Sequence, residues 1–203
     1  MNTINTRVAI CLAAVVALLS GCSNVRESAP GEARSVAVNE AKDDMRAVSE
    51  QTLAALYQRE PSARKAVEDA AGYAVFSNFG MKILVAGGGK GEGLAVNRKT
   101  REQIYMRMAE IQAGLGFGVK KFRLVWIFQT EDAFQKFVNS GYEFGGQATL
   151  AAQMRGQGAA LAGAASVSPG VWVYQLTDEG LAAELTLKGT KYYRDKELNA
   201  AHP

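Results

Sequence analysis

The pattern of apolar and polar residues changes period near Gly72. From about residue 36 to residue 58, apolar and small residues recur at spacings of three and four, which predicts a helix. A second helix is predicted from Pro61 to about Ala71, because proline suits the first turn of a helix and glycine its end. Beyond Gly72, alternating residues and short apolar runs are typical of β-strands.

Strands are predicted at residues 73–77, 81–86, 94–96, 103–113, 122–128, 144–151, 171–176 and 181–188, the last two forming a hairpin. Residues 78–80 (Asn-Phe-Gly) and the glycine-rich residues 87–93 are predicted as turns between strands. The run 122–128 is apolar enough to be buried on both faces. Thr130 is a suitable N-cap for one internal helix at 131–138.

The connections between the predicted strands are too short for parallel crossovers, which indicates an antiparallel sheet. The predicted fold class is α+β: a mainly antiparallel, curved or partly barrel-like β-sheet, with N-terminal helices and one internal helix packed on it. Gly114, Gly116 and Gly118 leave one face of their segment without side chains, so another group can approach it closely.

The N-terminal segment has the features of a bacterial lipoprotein signal. Arg7 precedes an apolar run at residues 8–19, which is shorter than the ~20 residues that a spanning helix needs. Leu19-Ser20-Gly21-Cys22 follows and places a cysteine directly after the expected cleavage point. We therefore expect acylation of Cys22, including a palmitate-type chain, and two or three acyl chains would give stable anchoring.

The predicted organisation is a signal peptide at 1–21, a flexible tether at 22–35, a helical segment at 36–71, a β-rich domain at 72–195 and a C-terminal tail at 196–203. The predicted location is the bacterial cell envelope. Ser23, rather than aspartate, follows the acylated cysteine. Under the sorting rule of enteric-type bacteria, this favours the outer membrane, facing the periplasm.

Composition excludes several kinds of site. Of the two cysteines, Cys11 would leave with the signal and Cys22 would be acylated, so no thiol remains for a disulfide or a cysteine metal site. His202 is the one histidine of the sequence, which argues against nucleophile–histidine catalysis and a histidine zinc site. We therefore expect no metal and no cofactor. Chemistry using carboxylates, lysine or tyrosine alone remains possible, and the favoured expectation is a protein without enzymatic activity. A net charge of +3, one of it from Arg7, does not predict nucleic-acid binding.

Residues 87–93 do not match the nucleotide-binding glycine loops. A Walker loop needs glycine five residues before Gly-Lys and then serine or threonine, but Leu84 and Gly91 stand at those positions. The dinucleotide template needs a glycine three residues after the second glycine of a spaced pair, but Glu92 or Leu94 stands at that position. The favoured interpretation is a glycine turn.

The order of several motifs resembles the SYLF domain family over roughly residues 60–195. The motifs are Gly-Tyr-Ala-Val-Phe at 72–76, the glycine-rich run at 86–96, Gly-Leu-Gly-Phe-Gly at 114–118, Leu-Val-Trp-Ile-Phe at 124–128, Trp-Val-Tyr at 172–174, Gly-Leu at 180–181 and Leu-Lys-Gly at 187–189. The resemblance implies lipid binding, because eukaryotic members are linked to phosphoinositide membranes and actin regulation. Bacterial members are commonly envelope lipoproteins. This sequence shows no actin-linked module, so the actin role is not expected here.

The candidate residues for lipid head groups are basic. Arg98, Lys99 and Arg101 form one cluster, and Lys120, Lys121 and Arg123 form another, each with three charges in four residues. Each such charge near an anionic bilayer is worth ~1 kcal/mol. Lys90 is added because the amides of the surrounding glycines can help to hold an anion. The alternative is that these residues keep strand ends and turns soluble.

The leading functional hypothesis is an envelope lipoprotein whose SYLF-like domain binds anionic phospholipid through basic residues and an apolar surface. The aromatic residues are predicted to lie in the core. One alternative is a structural or scaffolding lipoprotein that binds a periplasmic protein through a large exposed apolar patch without a basic rim. Another is an enzyme using Glu92, Glu110 or Glu143, which requires two carboxylates at one cleft.

Overall fold

The computed structural model describes residues 30–83, 86–113, 118–140, 142–144, 161–178, 180–181 and 189–200, with the backbone alone at 30, 78–83, 86–87, 112–113, 118–120 and 142–144. The chain divides into two compact units, residues 1–35 and 36–203. Within the first unit, the described residues 30–35 are helical.

The described residues contain three helices: α1 (Pro30–Arg59), α2 (Ser62–Asp69) and α3 (Glu131–Ser140). Helix α1 begins at Pro30, within the predicted tether. Proline suits the first helical position, because the backbone N–H that it lacks would have no partner within the helix there. The predicted cap of α3 is confirmed, because the Ala133 amide donates to Thr130 Oγ1 at 3.3 Å.

Nine strands occur in the described ranges. They are β1 (Gly72–Ile83), β2 (Ala86–Asn97), β3 (Gln103–Ala113), β4 (Gly118–Phe128), β5 (Tyr142–Phe144), β6 (Ala165–Ser168), β7 (Val171–Thr177), β8 (Gly180–Leu181) and β9 (Thr190–Arg194). They form one sheet in the order β5-β9-β3-β2-β1-β4-β7-β6, with β8 beside β7, and every pairing is antiparallel. The sheet is a curled half-barrel, which confirms the predicted α+β class.

The two predicted glycine-containing turns are wrong. Residues 78–80 lie inside the continuous strand β1, and residues 87–93 lie inside β2, paired with β1 and β3 without a break. The glycines are needed for close packing within the sheet. A Cβ on Gly93 would lie 2.3 Å from the Phe76 ring, and a Cβ on Gly91 would lie 2.8 Å from the Ser77 carbonyl oxygen.

Two further predictions concern the C-terminal third. The hairpin after β7 is confirmed where Leu176 pairs with Leu181, although residues 182–188 lie outside the described part. Strand β9 was not predicted as a strand, because Tyr192 and its neighbours stood in a short polar segment. Residues 114–117 of the predicted segment with one glycine face also lie outside the described ranges. The same holds for residues 145–151 of the strand predicted at 144–151.

Each face of the sheet carries a core. On one face, which we call the α3 face, Phe76, Trp126 and Tyr192 pack with Phe134 and Phe137 of α3. On the opposite face, the α1 face, the core contains residues of α1 and α2 together with residues of β1, β4 and β7: Leu56, Ala63, Val67, Val75, Val125, Ile127 and Tyr174. Residues 124–128 are at most 1% exposed, which confirms their predicted burial on both faces.

Candidate functional site

Antiparallel pairing aligns residues of the α1 face in rows that run across the strands. Val75 pairs with both Leu94 and Val125, and this row lies under α1, whose Met45 and Leu56 belong to the cores there. Directly paired residues point to the same face, so each row can be followed from strand to strand. Two rows beyond this covered row are relevant to function.

The nearer row, which we call the mixed row, carries both charges and hydroxyl groups. Its directly paired members are Tyr193, Arg107, Glu92, Ser77 and Arg123, on β9, β3, β2, β1 and β4. The guanidinium of Arg107 donates to Glu92 Oε1 at 2.7 Å and, through Nε, to Asp195 Oδ2 at 2.5 Å. The charge of Arg107 is therefore balanced by two carboxylates.

The next row contains three lysines, Lys90, Lys121 and Lys191, and we call it the lysine row; Glu143 of β5 pairs with Lys191 at the end of this row. Lys191 pairs with Ala109, Ala109 pairs with Lys90, and Lys90 and Lys121 flank the same residue of β1. All three lysines are exposed. At a strand spacing of about 4.8 Å, they span about 19 Å of the sheet.

Asp195 anchors the end of β9 to the mixed row. Only 6% of this residue is exposed, and it accepts hydrogen bonds from the amides of Glu197 and Leu198, each at 2.9 Å. Burial favours the neutral acid, but the Leu198 amide, the Arg107 guanidinium and the Glu197 amide together outweigh it. The pKa of Asp195 therefore lies below its ordinary value.

The lowered pKa of Asp195 makes its stabilising effect depend on pH. Ionised Asp195 stabilises the fold fully above its unfolded pKa of about 3.9, and this contribution is lost as the pH falls through the folded pKa. We expect Asp195→Asn to lower the urea midpoint at neutral pH, and the gap from the wild type to narrow below about pH 4. A gap of equal size at neutral and acidic pH would contradict this assignment.

Two clefts adjoin these rows on the α1 face. The larger, about 880 Å³, lies between α1 and the sheet and reaches from Val48 to Lys90 and Arg107. The smaller, about 400 Å³, lies between the end of α1 and β4 and is lined by Arg59, Lys121, Arg123, Thr177 and Asp178, among others. Ser77 lines both clefts, so they are neighbours on one face.

The structure brings part of the predicted basic set together. Lys90, Lys121 and Arg123 lie in adjacent rows of the α1 face, although they are far apart in sequence. Lys191 joins them and was missed, because its strand was not predicted. The backbone of Lys120 lies in β4, and its side chain lies outside the described residues.

The other predicted basic cluster lies elsewhere. Arg98, Lys99 and Arg101 belong to the turn between β2 and β3, about 25 Å along β2 from Lys90. Asn97 Oδ1 holds this turn by accepting the amides of Lys99 and Thr100 at 2.9 and 3.0 Å. Lys99 and Arg101 are exposed, whereas Arg98 is half-buried. This cluster is therefore separate from the lysine row.

The three glutamates named for the enzyme alternative are not gathered together in the described chain, although Glu92 shares the larger cleft with Asp44, Asp195 and Glu197. Glu92 lies on the α1 face beside Arg107, whereas Glu110 is buried on the α3 face. The side chain of Glu143 lies outside the described part. Within the described ranges, no three of His, Cys, Asp and Glu lie close enough together to hold a metal ion.

The exposed large apolar residues of the described chain are Val36, Ile111 and Tyr193. Ile111 is 74% exposed and stands two residues beyond Ala109 of the lysine row, on the same face. A scaffolding lipoprotein that binds a periplasmic protein would require a large exposed apolar patch without a basic rim. The exposed Ile111 differs from this requirement, because it lies beside the lysine row. Among the described helices, none combines the length and apolarity that a bilayer-spanning segment requires.

Comparisons with known proteins give one family and one relative. A family model described as "Ysc84: Las17-binding protein actin regulator" matches residues 109–202, which include Lys121, Arg123, Lys191 and Asp195. Beta cell expansion factor A from Aeromonas veronii, a SYLF family protein, is 31% identical over 159 residues, which is 78% of this chain. The matched region spans 59% of that relative's length.

Proposed function

The chain belongs to the SYLF (Ysc84) family, and from this premise we propose that its domain binds the surface of membranes rich in anionic phospholipid. The proposed contact surface is the lysine row with Arg123 on the uncovered part of the α1 face. The action is binding, without catalysis. The finding that carries the proposal is the alignment of Lys90, Lys121 and Lys191 across five neighbouring strands.

The arrangement of the lysines suits a negatively charged partner. The three lysines occupy one row of one sheet, so they can approach a surface together. None of them forms an ion pair with another described residue. At ~1 kcal/mol for each lysine near an anionic bilayer, the row supplies ~3 kcal/mol. Ile111 lies beyond the row and adds an apolar side chain on the side that would face the membrane.

Vesicle sedimentation tests the proposal directly. The probe protein is the chain from residue 22 with Cys22→Ser, which keeps every described residue and removes the acylation site. We expect it to sediment with phosphatidylglycerol-containing vesicles at low salt and to remain in solution with pure phosphatidylcholine vesicles. Binding should weaken as salt rises, because the screening length falls from ~10 Å at 0.1 M to ~3 Å at 1 M. An absence of sedimentation with the anionic vesicles at low salt would refute the proposal.

We also propose that Cys22 carries the acyl anchor, which would hold the domain at the periplasmic side of the outer membrane. This proposal is supported by the charge, the apolar run and the small residues that precede Cys22. In a bacterial host, we expect labelled palmitate to enter the wild-type chain and Cys22→Ser to abolish the label. Cys11→Ser is the matched control and should keep it. Equal labelling of the wild type and Cys22→Ser would disprove the anchor.

A further inference from the structure

The larger cleft beside α1 combines an apolar wall with charged lining residues, among them Lys90. Its apolar lining comes from Met45 and Val48 of α1 and from Val75, Met108 and Ala109 of the sheet. Its volume of about 880 Å³ lies within the range of sites that hold small molecules. This apolar part of the lining can hold hydrocarbon, because burial of methylene groups removes apolar surface from water.

The charged residues that line the cleft are of both signs: Lys90, Arg107, Arg194 and Lys196, with Asp44, Glu92, Asp195 and Glu197. Arg107 is bound by Glu92 and Asp195, so it offers little net charge to a ligand. Lys90 is exposed and forms no ion pair within the described part of the chain. Lys90 and Ala109 belong both to the cleft lining and to the lysine row, so the cleft reaches that row.

We infer that this cleft binds one acyl chain of a single-chain anionic amphiphile, with the ligand's head group beside Lys90. The inference rests on the proposed membrane contact, because the same lysine row would present the ligand to the cleft. A second acyl chain has no comparable place, since the neighbouring cleft has a volume of about 400 Å³, less than half that of the larger one. The ligand class is therefore a lysophospholipid-like molecule, in contrast to an intact two-chain lipid held within the protein.

Titration with 1-palmitoyl-lysophosphatidylglycerol, below the concentration at which it forms micelles, tests the inference on the chain from residue 22 with Cys22→Ser. We expect one molecule to bind per chain, measured by native mass spectrometry and calorimetry. Val48→Trp should fill the cleft and weaken this binding at least tenfold, while vesicle sedimentation stays unchanged. Ala47→Trp is the matched control, because Ala47 is exposed on the same helix and does not line the cleft.

A photoreactive palmitoyl analogue of the same lipid supplies a second measurement that does not depend on the folding of Val48→Trp. Crosslinks in peptides containing Val48, Ala109 or Tyr193 are expected. An absence of one-to-one binding, or crosslinks confined to other peptides, would overturn the cleft assignment even if vesicles are bound. One-to-one binding without vesicle sedimentation would instead refute the membrane proposal and keep the cleft as a site.

Discussion

Replacing Lys90, Lys121 and Lys191 together by glutamate is expected to weaken binding to phosphatidylglycerol vesicles by about a hundredfold or more. Loss of the lysines removes ~3 kcal/mol of attraction, and 1.4 kcal/mol corresponds to about a factor of ten. The added carboxylates then repel the anionic surface. The measurement is the vesicle concentration needed to sediment half of the protein at low salt.

The matched control changes net charge by the same amount at other positions. Lys65, Lys99 and Lys136 are exposed, and they lie on α2, on the β2–β3 turn and on α3. Their joint replacement by glutamate is expected to weaken binding much less, because none of them belongs to the lysine row. Equal losses for the two triple variants would mean that overall charge, rather than the row, governs binding. Circular dichroism of both variants confirms that they are folded.

Gly93→Ala is expected to lower the free energy of unfolding by about 1–3 kcal/mol, the usual cost of overpacking a core. The new methyl group would lie 2.3 Å from the ring of Phe76, which is fully buried beside Trp126 and Tyr192. The ring cannot move freely because it is packed in the core of the α3 face, and the backbone of β2 cannot because it is paired with β1 and β3. Urea unfolding measures the change in the free energy of unfolding, provided that its dependence on urea concentration (the m-value) is the same in the variant and the wild type.

Two further variants supply a control for this prediction and a double-mutant cycle. Gly88→Ala lies on the same strand, where the new Cβ would meet only the Glu110 carbonyl oxygen at 3.4 Å, so a small effect is expected. Phe76→Leu makes room for the methyl group, and the double variant should therefore be more stable than the sum of the single changes implies. Strict additivity would show that Gly93 is not required for clearance from Phe76.

The sequence predicted most elements whose signal is local. The helical period of α1, the N-cap at Thr130 and the apolar run at 124–128 each lie within a few residues, so pattern alone identifies them. The sequence pattern predicts a turn at the glycines of β2, and this prediction is wrong for a physical reason. Their role is to accept Phe76 and the backbone of β1, and these contacts come from another strand.

The candidate site was only partly predictable for the same reason. Lys90, Lys121 and Arg123 were identified as basic residues beside strands, but their alignment depends on the register of β1 with β2 and β4. Lys191 was missed because β9 is short and its apolar residues alternate only briefly. The Arg98–Lys99–Arg101 cluster looked equivalent in sequence, and only the register shows that it lies at the other end of β2.

A single fluorescent label would test most directly whether the lysine-row side of the sheet meets the membrane. In the chain from residue 22 with Cys22→Ser, Ile111→Cys puts the one thiol beside the lysine row, and Asn139→Cys puts it on α3. With an environment-sensitive dye, we predict that phosphatidylglycerol vesicles shift the emission of the label at residue 111 to shorter wavelength and leave the label at residue 139 unchanged. A shift at residue 139 without one at residue 111 would contradict the proposed membrane-binding face.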